Sequence, residues 1–406
     1  MECGLIGLPL GHSFSPRIHA QLANYAYELR ELETEELAPF FAARAFRGVN
    51  VTIPYKKAVI PLLDALSPGA AEIGSVNTVV NEGGKLTGYN TDVDGFLYLA
   101  RRTGVSFEGR KVLILGSGGT SLTAGAAVRR EGAREIVTVS RRGPVTYDDL
   151  AAHRDAEVIV NTTPVGMYPN NGERLLSLAD FPECRGVLDV IYNPLRTPLV
   201  LEAEAKGIPA SGGLPMLVGQ AAEAARLFAG EGVPEARVER VTETLTHELT
   251  SVVLIGMPGS GKSSVGEAVA ELLDRPFLDT DSEFERRFGP VPDYIEREGE
   301  AAFRARESEV VCDLGRRTGV VLATGGGVPL AAENRAALRQ NGEIFLLERE
   351  LSALATEGRP LSKNLEMLYE KRLPVYLACA GHRVRNEGIA RTAEEIAAHF
   401  KEGEKL

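Results

Sequence analysis

The sequence predicts an α/β protein built on parallel sheets, and three observations support this fold class. Short runs of β-branched and aliphatic residues alternate with longer helical patterns along the chain. Two of these runs, 111–115 and 252–255, lead into glycine-rich turns that are each followed by a helical pattern. With 406 residues the chain is also too long for a single core, so two or three domains are expected.

The predicted strands are short apolar runs bounded by turn residues. They cover residues 4–8, 48–52, 111–115, 135–140, 158–161, 186–190, 252–255, 320–324 and 343–347. A polar stretch after Pro234 separates two complete α/β patterns, which predicts a major domain boundary near residue 248. A second, softer boundary is predicted between residues 94 and 109, where a helix precedes the strand at 111–115.

Composition narrows the class of function. The net charge of −11 argues against a general nucleic-acid binder, which needs basic patches. The four cysteines are far apart and form no CxxC pair, so neither a zinc site nor a disulfide framework is expected, and a reduced, cytoplasmic compartment is predicted. The start of the chain has no basic signal-like region, and no apolar run reaches 18 residues. We therefore expect the protein to bind small molecules and to bind neither nucleic acid nor a membrane. The composition does not predict an oligomeric state.

The turn at 116–119, Gly-Ser-Gly-Gly, has the character of a dinucleotide-binding loop. It follows a predicted buried strand, and its glycines allow the backbone to approach a pyrophosphate at a helix N-terminus. The GxGxxG pattern is incomplete because Ser121 occupies the third glycine position, so a purely structural turn stays open as an alternative.

The end of the next predicted strand indicates which dinucleotide would bind. An NAD enzyme places an acidic residue there for the ribose 2′-hydroxyl, whereas this chain has Ser140, Arg141 and Arg142. Arginines suit a 2′-phosphate, so the sequence favours NADP over NAD. The alternative is a solvated turn with two surface arginines.

Four polar strings surround this region and carry a more specific signal. They are GHSFSP at 11–16, NVTIPYK at 50–56, GSVNT at 74–78 and GYNTD at 88–92. Each could be a cap or a turn by itself, but together they resemble the shikimate dehydrogenase family over about residues 1–240. The resemblance implies reduction of 3-dehydroshikimate to shikimate with NADP(H). It also implies a substrate domain at 1–94, completed by about 213–247, and a Rossmann-type NADP domain at 95–212.

The same resemblance assigns residues by position. It implies that Lys56 and Asp92 are the catalytic pair. The substrate would be held by this pair together with Ser13, Ser15, Thr52, Asn77, Tyr192 and Gln220. The cofactor would be held by Gly116, Ser117, Gly118, Gly119, Thr120, Ser121, Ser140, Arg141, Arg142, Asn161, Thr162, Val190 and Gly213.

The second glycine-rich turn, GMPGSGKS at 256–263, fits the P-loop pattern at every fixed position. In such a loop the backbone amides hold phosphates, the lysine reaches the β- and γ-phosphates, and the hydroxyl after it ligates Mg²⁺. The sequence therefore predicts an ATP site formed by Gly259, Ser260, Gly261, Lys262, Ser263 and Ser264.

Downstream of the P-loop, the ordered strings FLDTD at 277–281, GEAAFR at 299–304, ATGGG at 323–327 and KRLPVY at 371–376 resemble shikimate kinase over about residues 250–400. This resemblance implies a kinase domain at 249–406. Shikimate would be bound by Asp281, Arg304, Gly325, Gly326, Gly327 and Arg372, with Lys262 and Asp281 catalytic. Asp279 would help Ser263 to position Mg²⁺ through water, and Arg359 would close over the ATP phosphates. Taken singly, each charged residue could instead form a surface ion pair.

The two resemblances describe consecutive reactions, because the first would create the hydroxyl that the second phosphorylates. The predicted function is therefore a bifunctional enzyme of the shikimate pathway. Two alternatives remain: specificity for quinate, or for NAD, in the first half, and a ligand-sensing regulator that has lost both activities.

Overall fold

A computed structural model describes residues 1–11, 13–351, 354 and 365–402. The chain forms two compact units. The first contains Met1–Val165, Arg174–Tyr192 and Glu202–Glu243, and the second contains Gly166–Glu173, Asn193–Leu201 and Thr244–Leu406. Each unit has its own buried apolar clusters.

The first unit begins with a mixed sheet in the order β2-β1-β3-β5-β6-β4. β5 runs antiparallel to both β3 and β6, so this sheet is not purely parallel. Its strands and associated helices are β1 (Cys3–Gly7), α1 (Ser15–Leu22), β2 (Tyr27–Glu31), α2 (Thr34–Ala43), β3 (Gly48–Val51), β4 (Ala65–Leu66), α3 (Pro68–Ile73), β5 (Thr78–Glu82) and β6 (Lys85–Tyr89).

The second sheet of this unit is parallel, in the order β8-β7-β9-β10-β11. The chain moves outward from β7 in both directions, so the topological switch point, where ligands bind in open α/β sheets, lies between β7 and β9. The elements along this part of the chain are α4 (Asp92–Thr103), β7 (Lys111–Leu115), α5 (Gly119–Arg130), β8 (Glu135–Val139), β9 (Val158–Asn161), β10 (Gly186–Asp189), α6 (Pro198–Ala205), β11 (Ala210–Ser211), α7 (Leu214–Ala229) and α8 (Glu235–Leu249), of which α6 and α8 each have residues in both units.

Helices α4 and α7 pack closely because each has a glycine at the contact. A Cβ atom on Gly95 would lie 2.8 Å from the backbone nitrogen of Gln220, and one on Gly219 would lie 2.9 Å from the Tyr98 ring. Without side chains at these positions, the helix backbones can approach. This packing brings the start of α4 next to the middle of α7.

The second unit contains a five-stranded parallel sheet in the order β13-β14-β12-β15-β16. Its central strand β12 is fully buried and leads into the glycine-rich turn at 256–263. The elements are β12 (Ser251–Ile255), α9 (Lys262–Leu273), β13 (Phe277–Asp279), α10 (Thr280–Phe288), α11 (Val291–Glu298), α12 (Glu300–Gly315), β14 (Val321–Ala323), α13 (Ala332–Asn341), β15 (Gly342–Glu348), α14 (Leu365–Cys379), β16 (His382–Arg385) and α15 (Ile389–Glu402).

Two short segments of the second unit, Gly166–Glu173 and Asn193–Leu201, form hydrogen bonds with the end of α13. The buried Asn341 side chain donates to the Tyr168 hydroxyl at 2.8 Å and accepts from the Leu195 amide at 3.0 Å. The Gln340 carbonyl accepts from the Arg196 amide at 3.0 Å. Residues that are far apart in sequence therefore satisfy the buried polar groups at the end of α13.

The predicted fold class is confirmed. All nine predicted strands are present, with ends that differ by one residue at most, and both glycine-rich turns follow buried strands. The polar segment near the predicted boundary at 248 is a helix, α8. Among the described residues, no helix is both long enough and apolar enough to cross a membrane.

Candidate functional sites

The lysine and aspartate predicted to form the catalytic pair are in direct contact. Lys56 Nζ lies 2.6 Å from Asp92 Oδ2, and both side chains are largely buried. Asp92 is the first residue of α4, and its Oδ1 atom accepts a hydrogen bond from Asn77 Nδ2 at 3.0 Å. Both carboxylate oxygens are therefore engaged, so the ion pair has a defined geometry.

A cavity of about 420 Å³ lies over this pair. The substrate residues predicted from the sequence all line it: Ser13, Ser15, Thr52, Lys56, Asn77, Asp92, Tyr192 and Gln220. The cavity wall also contains Asn50, Met216 and Leu217, which were not predicted. Tyr192 lies at the edge and is partly exposed, and burial of its hydroxyl raises its pKa.

A second cavity in the first unit lies at the switch point between β7 and β9. Gly116, at φ +113°, follows β7, and a Cβ atom there would be 2.7 Å from Thr162 Oγ1. Thr162 follows β9, and its hydroxyl donates to the Leu115 carbonyl at 2.7 Å. This hydrogen bond joins the residue after β9 to the end of β7. The predicted cofactor residues in the cavity wall are Gly116, Ser117, Gly118, Ser140, Arg141, Arg142 and Thr162.

The remaining predicted cofactor residues lie elsewhere. Thr120, Val190 and Gly213 line the substrate cavity, whereas Gly119, Ser121 and Asn161 line neither cavity.

Ser121 is buried in the first turn of α5, and Asn161 is buried as well. The Asn161 side chain donates to Asp189 and to the Val165 carbonyl and accepts from Thr163, so it shapes the loop after β9 from behind. The sequence prediction missed Tyr147, Pro164, Val165 and Leu175 in the cavity wall.

In the second unit, three glycines of the turn at 256–263 adopt positive φ angles that favour glycine. The angles are +149° at Gly256, +82° at Gly259 and +94° at Gly261. The buried Lys262 ammonium donates to the carbonyls of Gly256 and Met257 at 3.1 and 2.9 Å. The lysine therefore folds back over the loop at the start of α9, and the N-terminal end of a helix favours anions.

Asp279 connects this loop to the next helix. Its Oδ2 atom accepts from the Ser263 hydroxyl at 2.7 Å, and its Oδ1 atom accepts from the backbone amides of Asp281 and Ser282, which caps α10. A hydroxyl next to a carboxylate is an oxygen donor pair that suits Mg²⁺ bound partly through water. No group of three or more acidic, histidine or cysteine side chains able to hold a metal occurs among the described residues.

A cavity of about 340 Å³ extends from the P-loop to α12 and α14. The predicted residues in its wall are Gly259, Gly261, Lys262, Ser263, Ser264, Asp281, Arg304, Gly325, Gly326, Gly327 and Arg372. Two predicted residues are not part of this wall: Ser260, which is fully buried, and Asp279, which is hydrogen-bonded to Ser263. Arg359 lies outside the described residues.

Glu307 is a site residue that the sequence analysis missed. It is buried in the cavity wall, and both of its carboxylate oxygens accept from Arg304, at 3.0 and 2.7 Å. Burial raises the pKa of Glu307, while the neighbouring Arg304 and Arg372 oppose this shift. In the sequence, Arg304 and Glu307 are three positions apart on a predicted helix, which is the spacing of an ordinary surface ion pair. Only the structure shows that both side chains line the cavity.

Arg372 lines the same cavity as Arg304. It is buried, and one guanidinium nitrogen donates to the Gly326 carbonyl at 3.1 Å. Its Nε atom has no hydrogen-bond partner among the described residues. A buried donor of this kind is costly unless a partner satisfies it. The cavity thus offers two arginines to an anionic group.

These features define a class: a two-domain α/β dehydrogenase unit followed by a P-loop phosphotransferase unit. Comparisons with known proteins agree. Residues 5–79 match the family model for the shikimate dehydrogenase substrate-binding domain, and residues 258–402 match the model for shikimate kinase.

Individual relatives extend the first match. The NADP(+) shikimate dehydrogenase of Halothermothrix orenii is 39% identical over 277 residues, which covers 60% of this chain and 95% of the relative. The shikimate 5-dehydrogenase structure from Thermus thermophilus, in complex with NADP(H) and shikimate, is 34% identical with a TM-score of 0.55 and covers 60% of this chain and 99% of that one. A quinate dehydrogenase from Corynebacterium glutamicum in complex with NAD is 29% identical, with a TM-score of 0.55 over 60% of this chain and 98% of that one.

The chain belongs to the shikimate dehydrogenase family and carries a shikimate kinase domain in its second half.

Proposed function

We propose that this chain catalyses two consecutive steps, the NADPH-dependent reduction of 3-dehydroshikimate to shikimate and the ATP-dependent phosphorylation of shikimate to shikimate 3-phosphate. The contact between Lys56 and Asp92, inside a cavity lined by hydroxyl and amide side chains, is the observation that carries the first activity. The P-loop, which lines one cavity together with Arg304 and Arg372, carries the second.

In the reductase, the nicotinamide supplies the hydride to the ketone carbon. The Lys56 ammonium is placed to donate a hydrogen bond to the ketone oxygen and to deliver its proton as charge develops there. Asp92 orients Lys56 and stabilises its charge. Ser13, Ser15, Thr52, Asn77, Tyr192 and Gln220 supply donors and acceptors for the hydroxyl and carboxylate groups of the substrate.

NADP is the dinucleotide that suits the cavity at the switch point. Two arginines, Arg141 and Arg142, lie in its wall beside Ser140 at the end of β8, where they can bind a 2′-phosphate. The backbone at Gly116, Ser117 and Gly118 lies at the start of α5, where a pyrophosphate is favoured. Thr120, Val190 and Gly213, which line the substrate cavity, are placed for the nicotinamide end of the same molecule.

In the kinase, Lys262 and the P-loop amides would hold the ATP phosphates. Ser263 and Asp279 would hold Mg²⁺, partly through water, and the ion would supply positive charge next to the phosphates. Arg304 and Arg372 bind the shikimate carboxylate, which would satisfy the unpartnered Nε atom of Arg372. Asp281 accepts hydrogen bonds from the shikimate hydroxyls and receives the proton of the attacking one.

We also propose the domain assignment that accompanies these roles. Residues 1–94, completed by about 213–247, form the substrate domain, residues 95–212 form the NADP domain, and residues 249–406 form the kinase. A cytoplasmic location suits an enzyme that draws on both NADPH and ATP.

One coupled assay tests the proposal. The purified chain is incubated with 3-dehydroshikimate, NADPH and MgATP, and shikimate 3-phosphate is measured by mass spectrometry. We expect the product only in the complete mixture, with shikimate accumulating when ATP is left out. No shikimate in any mixture rules out the reductase assignment. Faster turnover of quinate with NAD would instead support the alternative specificity.

A further inference from the structure

Thr78 stands at the centre of a buried hydrogen-bond network behind the reductase cavity. It is the first residue of β5, and the antiparallel register places it directly opposite Asn50 on β3. Its side chain is fully buried and does not line the cavity. A polar side chain at such a place stabilises the protein only if its neighbours satisfy it, so its partners indicate what it does.

The orientation of the Asn77 amide is fixed by a backbone donor. The Thr91 amide nitrogen donates to Asn77 Oδ1 at 2.7 Å, so this atom must be the carbonyl oxygen. Asn77 Nδ2 therefore faces Asp92 Oδ1, 3.0 Å away. Asn77 holds the carboxylate that in turn holds Lys56.

The Asn50 amide is oriented by a backbone acceptor: its Nδ2 atom lies 3.4 Å from the Asn77 carbonyl, so this atom must be the nitrogen. The Tyr27 hydroxyl donates to Asn50 Oδ1 at 2.7 Å, which turns Asn50 Nδ2 towards Thr78 Oγ1 at 3.0 Å. Asn50 lines the substrate cavity. The Thr78 hydroxyl is the nearer of the two acceptors of Asn50 Nδ2, so the position of this amide depends in part on it.

The Thr78 hydroxyl links the two amides. It accepts from Asn50, and its one proton can go to Asn77 Oδ1 at 3.1 Å or to Thr91 Oγ1 at 3.2 Å. A hydroxyl, with one donor and two acceptor sites, can serve both sides at once. A valine of the same shape could serve neither.

We propose that Thr78 is a positioning residue of the reductase, whose hydroxyl fixes Asn50 on the cavity wall and Asn77 behind Asp92 relative to each other. This inference rests on the proposed reductase function. Losing the hydroxyl removes the hydrogen bond that links the two amides and leaves Asn50 Nδ2 with only its 3.4 Å contact to the Asn77 carbonyl. The cavity wall and the Lys56–Asp92 pair are then no longer held in one arrangement relative to the substrate. Small misplacements of reacting groups have large effects on rate.

The test compares Thr78→Val and Thr78→Ser with the wild type and with Thr242→Val in the full-length chain. Thr242 is also fully buried, and its hydroxyl donates to the Val238 carbonyl within α8, so it reports the general effect of losing a buried hydroxyl. We expect Thr78→Val to lower the reductase kcat about tenfold, the effect of losing about one buried hydrogen bond in the transition state. Thr78→Ser should recover to within about twofold, and the KM for NADPH should stay unchanged in both.

The pH dependence of kcat gives a readout that a merely structural role would not move. We expect its profile to shift in Thr78→Val, because the surroundings of Lys56 and Asp92 change, and to stay in place in Thr242→Val. A folded Thr78→Val protein with wild-type kcat and profile overturns the inference, as does an equal kcat loss in Thr242→Val. A wild type without reductase activity refutes the proposed function instead.

Should Thr78→Val fail to fold, Tyr27→Phe provides the second measurement. It leaves Thr78 in place but removes the donor that orients Asn50. The inference predicts a lower kcat/KM for 3-dehydroshikimate in this variant with an unchanged KM for NADPH. Wild-type kinetics in soluble Tyr27→Phe would refute the network as a positioning device.

Discussion

Lys56 Nζ and Asp92 Oδ2 are 2.6 Å apart although the two residues are 36 positions apart in the chain. The contact depends on two independent elements, the turn after β3 and the first residue of α4. Because Asn77 holds the second carboxylate oxygen, the lysine is directed to one position in the cavity.

Replacing Lys56 by alanine should therefore remove the reductase alone. Loss of a positioned acid–base group typically costs about 10²–10⁴-fold in rate. We expect a loss of this size in NADPH oxidation with 3-dehydroshikimate, while ATP consumption with shikimate stays close to wild type. Lys57→Ala, at the exposed neighbouring position, is the matched control. Equal loss of both activities in Lys56→Ala would contradict the assignment.

Arg141→Ala should weaken NADPH binding selectively. Removing a charge-assisted hydrogen bond costs about 1.5–3 kcal/mol, which is about a tenfold to hundredfold rise in the KM for NADPH. The KM for 3-dehydroshikimate should change little. Arg129→Ala, at the exposed end of α5, controls for the loss of a positive charge. A wild type that prefers NADH would refute the specificity argument based on Arg141 and Arg142.

Lys262→Met in the full chain should silence the kinase and spare the reductase. The substitution keeps much of the side-chain length but removes the buried ammonium group. In the coupled assay shikimate should accumulate at the wild-type rate without being phosphorylated. Lys401→Met, an exposed lysine on α15, should convert shikimate normally. The assignment fails if the Lys262 variant also loses its reductase.

His19 should make the first unit sensitive to acid. Burial lowers its pKa from 6.5 to about 3, and the ring stacks on Tyr27 and contacts the Tyr25 hydroxyl. The folded state therefore resists protonation, and the stability associated with neutral His19 is lost as the pH falls from about 6.5 towards 3. The loss has a limiting slope of about 1.4 kcal/mol per pH unit.

Calorimetric melting of wild type and His19→Gln between pH 7 and pH 4 tests whether stability falls with pH as expected. The melting temperature of the wild type should fall more steeply than that of the variant, because the variant has no imidazole to protonate. His399→Gln, at an exposed position, should follow the wild type. Parallel curves for wild type and His19→Gln would show that this histidine does not titrate as proposed.

A fragment beginning at residue 250 should phosphorylate shikimate but melt at a lower temperature than the kinase in the full chain. Such a fragment lacks Tyr168 and Leu195, which satisfy the buried Asn341 side chain. Each lost hydrogen bond contributes about 0.5–1.5 kcal/mol. Kinase activity remaining after graded heating measures the difference. Equal heat resistance would show that residues 166–173 and 193–201 add no stability.

Much of the fold could be predicted because buried strands of parallel sheets are short, nearly continuous apolar runs. Strands of other kinds were missed for physical reasons. Tyr27–Glu31 is an exposed edge strand rich in charge, and Thr78–Glu82 with Lys85–Tyr89 forms a hairpin around two glycines at positive φ. Neither shows the apolar run on which the prediction depended.

The site residues divide in a similar manner. Lys56, Asp92 and the P-loop lie within contiguous strings whose chemistry is local, so they could be proposed as candidates from the sequence, and in the structure they line cavities. Thr78 and Glu307 were missed because their roles depend on strand register and on which side of α12 faces the cavity. Ser121 was selected from the motif alone, and the packing of α5 places it in the interior instead.

The two carboxylate oxygens of Asp279 have different partners, and this affects how substitutions at Asp279 are interpreted. One oxygen faces Ser263 and the other caps the helix that carries Asp281. A change to alanine would therefore disturb nucleotide and acceptor sites together, and lower activity could not be attributed to metal binding. Asparagine keeps an oxygen for the helix cap and removes the charge, so only the difference between the two variants separates magnesium affinity from misplacement of the acceptor.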